Sequence, residues 1–248
     1  MERGYVSFDI ETDGLIDADH TPAILCACAA TIERTSVGNY RILERRSWPQ
    51  DMASDRLSEE EMRSILTYLL VQLHAGYRPL TWNGTGFDFR VLCERMVDSV
   101  PYQRHCTQLA LSGIDPMLTF FMQKGFPVSL ASVALVTCGP SFGKIGKGAD
   151  AVGQWDSGNH EARRGVVAYC ERDVDVLAAV WSGIEAAGNI RWNTKTTNRI
   201  ATWIPSHPAT VSSLVRDVIR LPPPDNSWMR TGDDRPTLAG FAGWLLSP

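Results

Sequence analysis

Four acidic side chains lie inside otherwise apolar stretches of this sequence, and they restrict the folds that the chain can adopt. They are Asp9 and Glu11 in FDIET, Asp88 in NGTGFD, and Asp173 in YCERD, a stretch that also contains Tyr169. A buried carboxylate without a compensating partner costs several kcal/mol. We therefore expect a fold that brings these separate segments together around a cation.

The predicted local structure allows these side chains to meet. Asp9 and Glu11 are two residues apart on a predicted strand, so both project from one face while their apolar neighbours project from the other. Asp88 falls in the first turn of a predicted helix, where the helix dipole favours an anion. Tyr169 and Asp173 are four residues apart on a long predicted helix and therefore share a face. Folding can then collect all four carboxylates at one place.

Four carboxylates in a small space require divalent cations. At about 4 Å, each pair of charges repels by about 4 kcal/mol at an effective dielectric constant of about 20. Ligand sets made only of oxygen predict Mg²⁺ or Mn²⁺ rather than zinc. Two such ions about 3.5–4 Å apart can activate a water molecule and stabilise the leaving 3′ oxygen of a phosphodiester. The phenol of Tyr169 has an ordinary pKa of about 10, so we expect it to orient that water rather than to act as a base.

Strand and helix patterns follow one another in the order of an α/β protein. The predicted strands cover 4–11, 23–32, 40–47 and 77–82. The predicted helices cover 59–74, about 86–97 and 160–187, with short helices over 106–139 that begin at signals such as Pro116 and Ser129. The glycine-rich stretch 139–158 predicts a loop. This order predicts a mixed sheet with helices on both faces.

A change of composition after Gly188 predicts a C-terminal extension. We expect one domain over 1–187 and an extension over 188–248, in which 189–204 form a hairpin and 237–246 a short helix. Three consecutive prolines, 222–224, mark a break between these two elements. The tryptophans of the extension, which we expect to pack onto the domain rather than to stack on bases, are Trp192, Trp203, Trp228 and Trp244.

Composition matters mainly for the classes of protein that it disfavours. The net charge of −4 provides no overall positive field, so a polyanion must be met by a local basic surface or by bound metal. The sequence starts without an apolar signal region and has no apolar run of about 18 residues or more. Its six cysteines form neither a CxxC pair nor a zinc spacing with histidine. We therefore expect a cytoplasmic protein with free thiols and no membrane contact.

The three motifs together resemble those of the DEDD superfamily of 3′→5′ exonucleases, in its tyrosine branch. FDIET, NGTGFD (Asn-x-x-x-Phe-Asp) and YCERD (Tyr-x-x-x-Asp) occur in the order of that superfamily, within about residues 4–187. The histidine branch would place a histidine five residues before Asp173, where this chain has Ala168. The resemblance implies a ribonuclease H-like fold. Because the chain has no room for a polymerase, it also implies a stand-alone enzyme.

The resemblance further implies a division of labour among the acids. Asp9, Glu11 and Asp173 would bind the first of two divalent cations. Asp9 would also bridge to the second cation, and Asp88 would hold that second cation through water.

Substrate contacts are implied at six more residues. Those that match positions touching the terminal nucleotide are Thr12 and Leu15, and those near the penultimate nucleotide are Asn83 and Phe87. The segment 143–155 (GKIGKGADAVGQW) resembles a loop of bacterial predicted exonucleases, in which the phosphate contacts would be Lys144 and Lys147. Simpler interpretations stay open, because Asn83-Gly84 is also a common turn, Phe87 could belong to the core, and both lysines could be solvated.

Three basic residues of the long helix have a simple interpretation. Arg163, Arg164 and Arg172 are predicted to form a solvated face of that helix rather than a track for nucleic acid.

The sequence thus predicts a two-metal 3′→5′ exonuclease that removes 5′-mononucleotides from single-stranded ends. The resemblance favours DNA, and RNA is the alternative because contacts to a 2′-hydroxyl cannot be located in the sequence. A non-catalytic nucleic-acid-binding module on the same scaffold is the alternative of another class, although the complete set of acids argues for an enzyme. Residues 189–248 could also recruit a protein partner.

Overall fold

A mixed four-stranded sheet lies at the centre of the computed structural model. The strands β1 (Gly4–Thr12), β2 (Ile24–Ser36) and β3 (Asn39–Trp48) are antiparallel neighbours, and β4 (Tyr77–Leu80) pairs in parallel with β1. The strand order is β3-β2-β1-β4, so β1 has a neighbour on each side. The mixed α/β sheet predicted from the sequence is confirmed.

The structure describes most of the chain but not all of it. The described residues are 2–17, 19–96, 99–142, 148–194, 199–205, 209–221 and 242–245. The three prolines at 222–224 and most of the short helix predicted over 237–246 lie outside them.

Helices follow the strands in chain order. They are α1 (Glu59–His74), α2 (Asp88–Arg95), α3 (Val100–Ser112), α4 (Pro116–Lys124), α5 (Leu130–Thr137), a 3₁₀ turn (Pro140–Phe142), α6 (Gly148–Asp156), α7 (His160–Ala187) and α8 (Val215–Val218). The predicted helices over 59–74 and 160–187 are confirmed, because each carries a strong start signal. Ser58 and Glu61 form a capping box at α1, and the Asn159 side chain accepts from the Glu161 amide at α7.

The helices cover both faces of the sheet. On one face, Phe8 and Ile10 of β1 belong to a buried apolar cluster with residues of α1, α2 and α3. On the other face, Cys26 and Cys28 of β2 are buried against α7 together with Cys170. The predicted alternation of β1 and β2 side chains is therefore what divides the core into two layers.

The chain after α7 adds a second, two-stranded sheet. β5 (Ile190–Asn193) and β6 (Ile200–Trp203) pair antiparallel, one on each side of the undescribed residues 195–198. The rings of Trp192 and Trp203 meet Phe120 of α4 edge-on, with centroids 5.0 and 5.3 Å away. A helical turn at 242–245 completes the described part of this region.

Two sequence predictions are wrong in the same part of the fold. Much of the predicted loop 139–158 is helical, because α6 buries Trp155 completely against α7. Arg163 does not lie on a solvated face: it is 4% exposed, and its guanidinium donates to the carbonyls of Trp155 and Met52. Glycine content predicted a loop because it does not reveal the tertiary contacts that stabilise α6. Charge predicted an exposed Arg163 because it does not reveal which side of α7 faces the domain.

Within the described residues, no helix combines the length and the apolar character needed to cross a bilayer.

Candidate active site

β1 supplies two acids to the face that α7 covers. Asp9 and Glu11 lie opposite Cys28 and Cys26 of β2, so the pleat directs these four side chains to the same face of the sheet. The pairing register shifts between Glu11 and Thr12. Irregularities of this kind are frequent beside active sites, because they change the direction in which strand side chains point.

α7 brings the second pair of side chains to this face. Tyr169 and Asp173 are one helical turn apart, and both are half-buried. The hydroxyl of Ser7 on β1 donates to the carbonyl of Val174 at 2.8 Å, which joins the strand to the helix one residue beyond Asp173. The strand and the helix are thus fixed to each other where their acids meet.

Three of the carboxylates form one compact acidic cluster. Oxygen atoms of Asp9, Glu11 and Asp173 all lie within 4.8 Å of one another. This spacing lets three ligands reach a single ion, and oxygen donors suit a hard divalent cation. The acidic cluster can therefore bind a metal ion.

Asp88 lies beside the acidic cluster and is anchored to β1. It is the first residue of α2 and only 4% exposed, and its Oδ1 accepts the backbone N–H of Ile10 at 3.0 Å. The rings of Phe8 and Phe89 stack with centroids 5.7 Å apart, which holds the start of α2 against the strand. Phe8 and Ile10 of β1 thus contact α2, while Ser7 and Asp9 contact α7.

Burial and mutual repulsion make this group of acids difficult to ionise together. Burial raises the pKa of Asp9 well above its usual range, and the charges of Asp88, Glu11 and Asp173 raise it further. Burial raises the pKa of Asp88 to about 7, although the backbone N–H of Ile10 opposes that change. A bound divalent cation would relieve both effects, so the donor set fits the metal ions predicted from the sequence.

Tyr169 remains protonated in this environment. Burial raises the pKa of its phenol, and the carboxylates of Asp173 and Glu11 raise it further. A neutral phenol next to an acidic cluster can donate a hydrogen bond to a ligand, but it cannot accept a proton at neutral pH.

The loop of residues 81–87, here called the Asn83 loop, leads into Asp88. Asn83 has a φ of +72°, a conformation that few residues other than glycine adopt. Gly84 packs so closely on Thr81 that a Cβ at this position would overlap the threonine side chain. The Asn83 loop therefore has a strained but specific conformation immediately before the start of α2.

Asp115, which sequence reasoning did not assign to the site, binds the Asn83 loop through its carboxylate. Its buried carboxylate accepts the amides of Asn83 at 3.0 Å and Thr85 at 3.1 Å, and it also caps α4 through the amide of Leu118 at 3.1 Å. The dipeptide Asp115-Pro116 is a helix-start signal in the sequence. No local signal shows that the same carboxylate also binds a loop 30 residues earlier.

Cys170 is a second residue that sequence reasoning left outside the site. Its thiol lies 3.5 Å from the carbonyl oxygen of Asp9 and 3.8 Å from Asp9 Oδ2, close enough to donate a weak hydrogen bond. The side chain is fully buried beside the other two thiols of this face. Its place in YCERD, next to Tyr169, was the available signal.

The residues predicted to contact substrate are placed as follows. The Thr12 hydroxyl donates to the carbonyl of Gly14 at 2.7 Å, and Leu15 is 78% exposed just beyond β1. Asn83 Oδ1 is buried and accepts no hydrogen bond from any described residue. Phe87 is half-buried and packs against the core cluster of Phe8. The two predicted phosphate contacts, Lys144 and Lys147, lie outside the described residues.

The comparison with protein families agrees with this architecture. A family model described as RNase_H superfamily, RNase_H_2, matches residues 6–183, which is more than half of the chain. The matched region runs from β1 into α7 and contains all four acids and Tyr169. No curated protein matches the chain.

Proposed function

Because the chain belongs to the ribonuclease H superfamily, we propose that it is a metal-dependent 3′→5′ exonuclease. The family suggests a nuclease and implies a nucleic-acid substrate. The observation that carries the finer proposal is the acidic cluster, in which carboxylates from β1 and α7 approach within 4.8 Å. The interaction of Tyr169 with Asp173 and Glu11 of this cluster supports the assignment to the tyrosine branch.

The proposed roles of the acids follow from their positions. Asp9, Glu11 and Asp173 would together hold one cation, Mg²⁺ or Mn²⁺. Asp9 would also reach a second cation, which Asp88 would hold through water. Two such ions supply an activated water and charge stabilisation for the leaving 3′ oxygen. The amide of Ile10 donates to the carboxylate of Asp88, and the thiol of Cys170 contacts the carbonyl oxygen of Asp9, so both ligands are held in place.

Tyr169 would orient the attacking water. Since its phenol stays protonated, it donates a hydrogen bond and leaves the proton of the water to another acceptor. A group that positions the nucleophile without exchanging protons affects the rate of the chemical step and not the affinity for substrate.

The end of the nucleic acid would lie over β1 and the Asn83 loop. Leu15 is exposed just beyond β1 and would pack on the terminal base, and Thr12 would also contact this nucleotide. Asn83 and Phe87 would contact the penultimate nucleotide, and Lys144 and Lys147 would bind phosphate. The products would be 5′-mononucleotides released from single-stranded ends.

DNA is the proposed substrate, with RNA as the alternative. The preference rests on the resemblance of FDIET and NGTGFD to the tyrosine branch. A cytoplasmic location and a protein partner for residues 188–248 stay predictions.

A gel assay tests the activity, the polarity and the sugar preference together. Matched 5′-labelled DNA, RNA and duplex oligonucleotides are incubated with Mn²⁺, and we expect a ladder that shortens from the 3′ end of single-stranded DNA. Immediate release of labelled mononucleotide would indicate the opposite polarity. Full-length oligonucleotides that remain bound would favour the non-catalytic binding module instead.

A pair of variants links the activity to the acidic cluster. Asp9→Ala removes the shared ligand, so we expect turnover to fall by more than about 100-fold. Asp175→Ala is the matched control, because Asp175 lies on the same helix as Asp173 but pairs with Arg45 at the surface. Asp9→Ala with more than about a tenth of wild-type activity would contradict the bridging role.

A further inference from the structure

Residues 242–245 lie against the Asn83 loop, and the contact joins residues 159 positions apart in the sequence. The indole N–H of Trp244 donates to the carbonyl of Thr85 at 2.8 Å. Trp244 and Leu245 also pack against the core cluster that contains Phe89 of α2. The helical turn therefore touches the loop before Asp88 and packs on the core cluster to which α2 contributes.

The peptide groups of Thr85 are consequently bound from two sides. Its amide donates to Asp115 at 3.1 Å, and its carbonyl accepts from Trp244. Thr85 itself is only 1% exposed. Since Asn83, two residues earlier, has a strained left-handed conformation, these contacts oppose relaxation of the loop.

The Asn83 loop in turn determines where α2 begins. The amide of Phe87 donates to the carbonyl of Asn83, and the amide of Phe89 donates to the carbonyl of Gly84, both at 2.9 Å. Asp88 lies between these two amides. A displacement of the loop would therefore move the Asp88 carboxylate relative to Ile10 of β1, which holds its other end.

We propose that Trp244 is a positioning residue that fixes the Asn83 loop and, through it, the carboxylate of Asp88. The C-terminal region would then complete the active site, although none of its described residues belongs to the acidic cluster. The kinetic consequence of this inference rests on the proposed exonuclease function, and the effect on metal affinity rests on the proposed role of Asp88 as a ligand, whereas the effect on loop protection rests on neither.

Trp244→Phe tests this role, because it keeps most of the ring packing and removes the N–H donor. The matched control is Trp192→Phe, in the same C-terminal region but packed on Phe120. Amide hydrogen exchange followed by mass spectrometry reports on peptides covering residues 81–92. Calorimetric titration with Mn²⁺ and steady-state kinetics with single-stranded DNA report on the site.

We expect three changes in Trp244→Phe that Trp192→Phe does not show. Exchange over residues 81–89 becomes faster by about fivefold or more, and Mn²⁺ affinity falls by about 3- to 10-fold. The value of kcat falls by about 3- to 30-fold while KM changes less, because Asp88 acts in the chemical step. If Trp244→Phe does not fold, Leu245→Ala must give the same pattern more weakly, since it loosens the turn and keeps the indole.

Two results would overturn the positioning role. One is exchange over residues 81–89 that is unchanged in Trp244→Phe. The other is faster exchange with unchanged Mn²⁺ affinity, because the loop would then be held without effect on the site. If wild-type protein degrades no oligonucleotide, the proposed function fails, and the exchange and Mn²⁺ measurements still decide the role of Trp244.

Discussion

Tyr169 shows how one side chain can be assigned a role from its surroundings. Burial and the neighbouring acids raise the pKa of its phenol, so deprotonation is disfavoured. We predict that Tyr169→Phe lowers kcat by about 10- to 1000-fold, the range of a positioning group. KM and Mn²⁺ affinity should stay close to wild type. Single-turnover kinetics would measure the chemical step directly.

The pH dependence separates orientation from base catalysis at this residue. Since burial disfavours the phenolate of Tyr169, the ratio of wild-type to Tyr169→Phe rates should stay constant between about pH 6 and pH 9. A ratio that rises steadily with pH would mean that the tyrosine acts as the base. Tyr102→Phe is the matched control, because Tyr102 lies on α3 against Arg63.

At the scale of elements, the sequence predicted best where local and tertiary signals agree. α1 and α7 combine a side-chain cap with an apolar stripe, and both were predicted with correct ends. α6 has two glycines and a weak stripe, and its helical state depends on burial of Trp155 against α7. The same dependence on tertiary contacts explains why Asp115 was not predicted to hold the Asn83 loop.

Two glycines give a paired test of element geometry. At Gly84 a Cβ would overlap the buried Thr81, so Gly84→Ala should destabilise the protein by about 1–3 kcal/mol. It should also lower kcat about tenfold, because a displaced Asn83 loop would move Asp88, the residue that follows it. At Gly153, in the middle of α6, a Cβ meets no atom within 4 Å, so Gly153→Ala should stabilise by up to about 1 kcal/mol. Thermal unfolding would contradict this account if both changes had the same sign.

Arg163 gives a second paired test, which measures how much the contact between α7 and the segment connecting β3 to α1 stabilises the fold. Its guanidinium donates to the backbone carbonyls of Met52, Ala53 and Ser54. Arg163→Met would leave these carbonyls without their charged donor, so we predict a loss of about 2–4 kcal/mol in unfolding free energy. Arg164→Met, at the neighbouring exposed position, should change it by less than about 0.5 kcal/mol. Urea titrations of both variants measure the difference in unfolding free energy. Equal losses would show that the hydrogen bonds of Arg163 to these carbonyls do not stabilise the fold.

At the scale of the whole molecule, the sequence indicated the acids but not their exact grouping. Spacing within a strand or helix determines which side chains share a face, and this brought together Asp9 with Glu11 and Tyr169 with Asp173. The distance between those pairs depends on how α7 packs on β1, through contacts such as that of Ser7 with Val174. Likewise, no periodicity in the C-terminal region reveals that Trp244 reaches Thr85.

The contribution of the acidic residues Asp9 and Asp88 to the stability of the metal-free protein should fall as the pH rises. Unfolded aspartates titrate at a pH of about 4, whereas the fold raises the pKa of Asp88 to about 7 and that of Asp9 well above its usual range. Below about pH 4 both states are protonated and the site imposes no penalty. Between about pH 4 and pH 7 the unfolded chain releases protons that the folded protein retains, so stability decreases with increasing pH. Above the folded pKa of each group, its share of the loss is complete.

Asp9→Asn isolates the contribution of the site from that of other titrating groups. Asparagine does not ionise, so the variant avoids the cost that burial and repulsion impose on this carboxyl group and should unfold at a higher temperature than wild type in EDTA at pH 8. An advantage of about 1 kcal/mol corresponds to about 2–4 °C for a protein of this size, and it should shrink towards pH 5.

Mn²⁺ should raise the unfolding temperature of wild type more at pH 8 than at pH 5, because protons compete with the cation for the same oxygens. Differential scanning calorimetry measures both effects, and a variant less stable than wild type in EDTA at pH 8 would contradict electrostatic strain in the cluster.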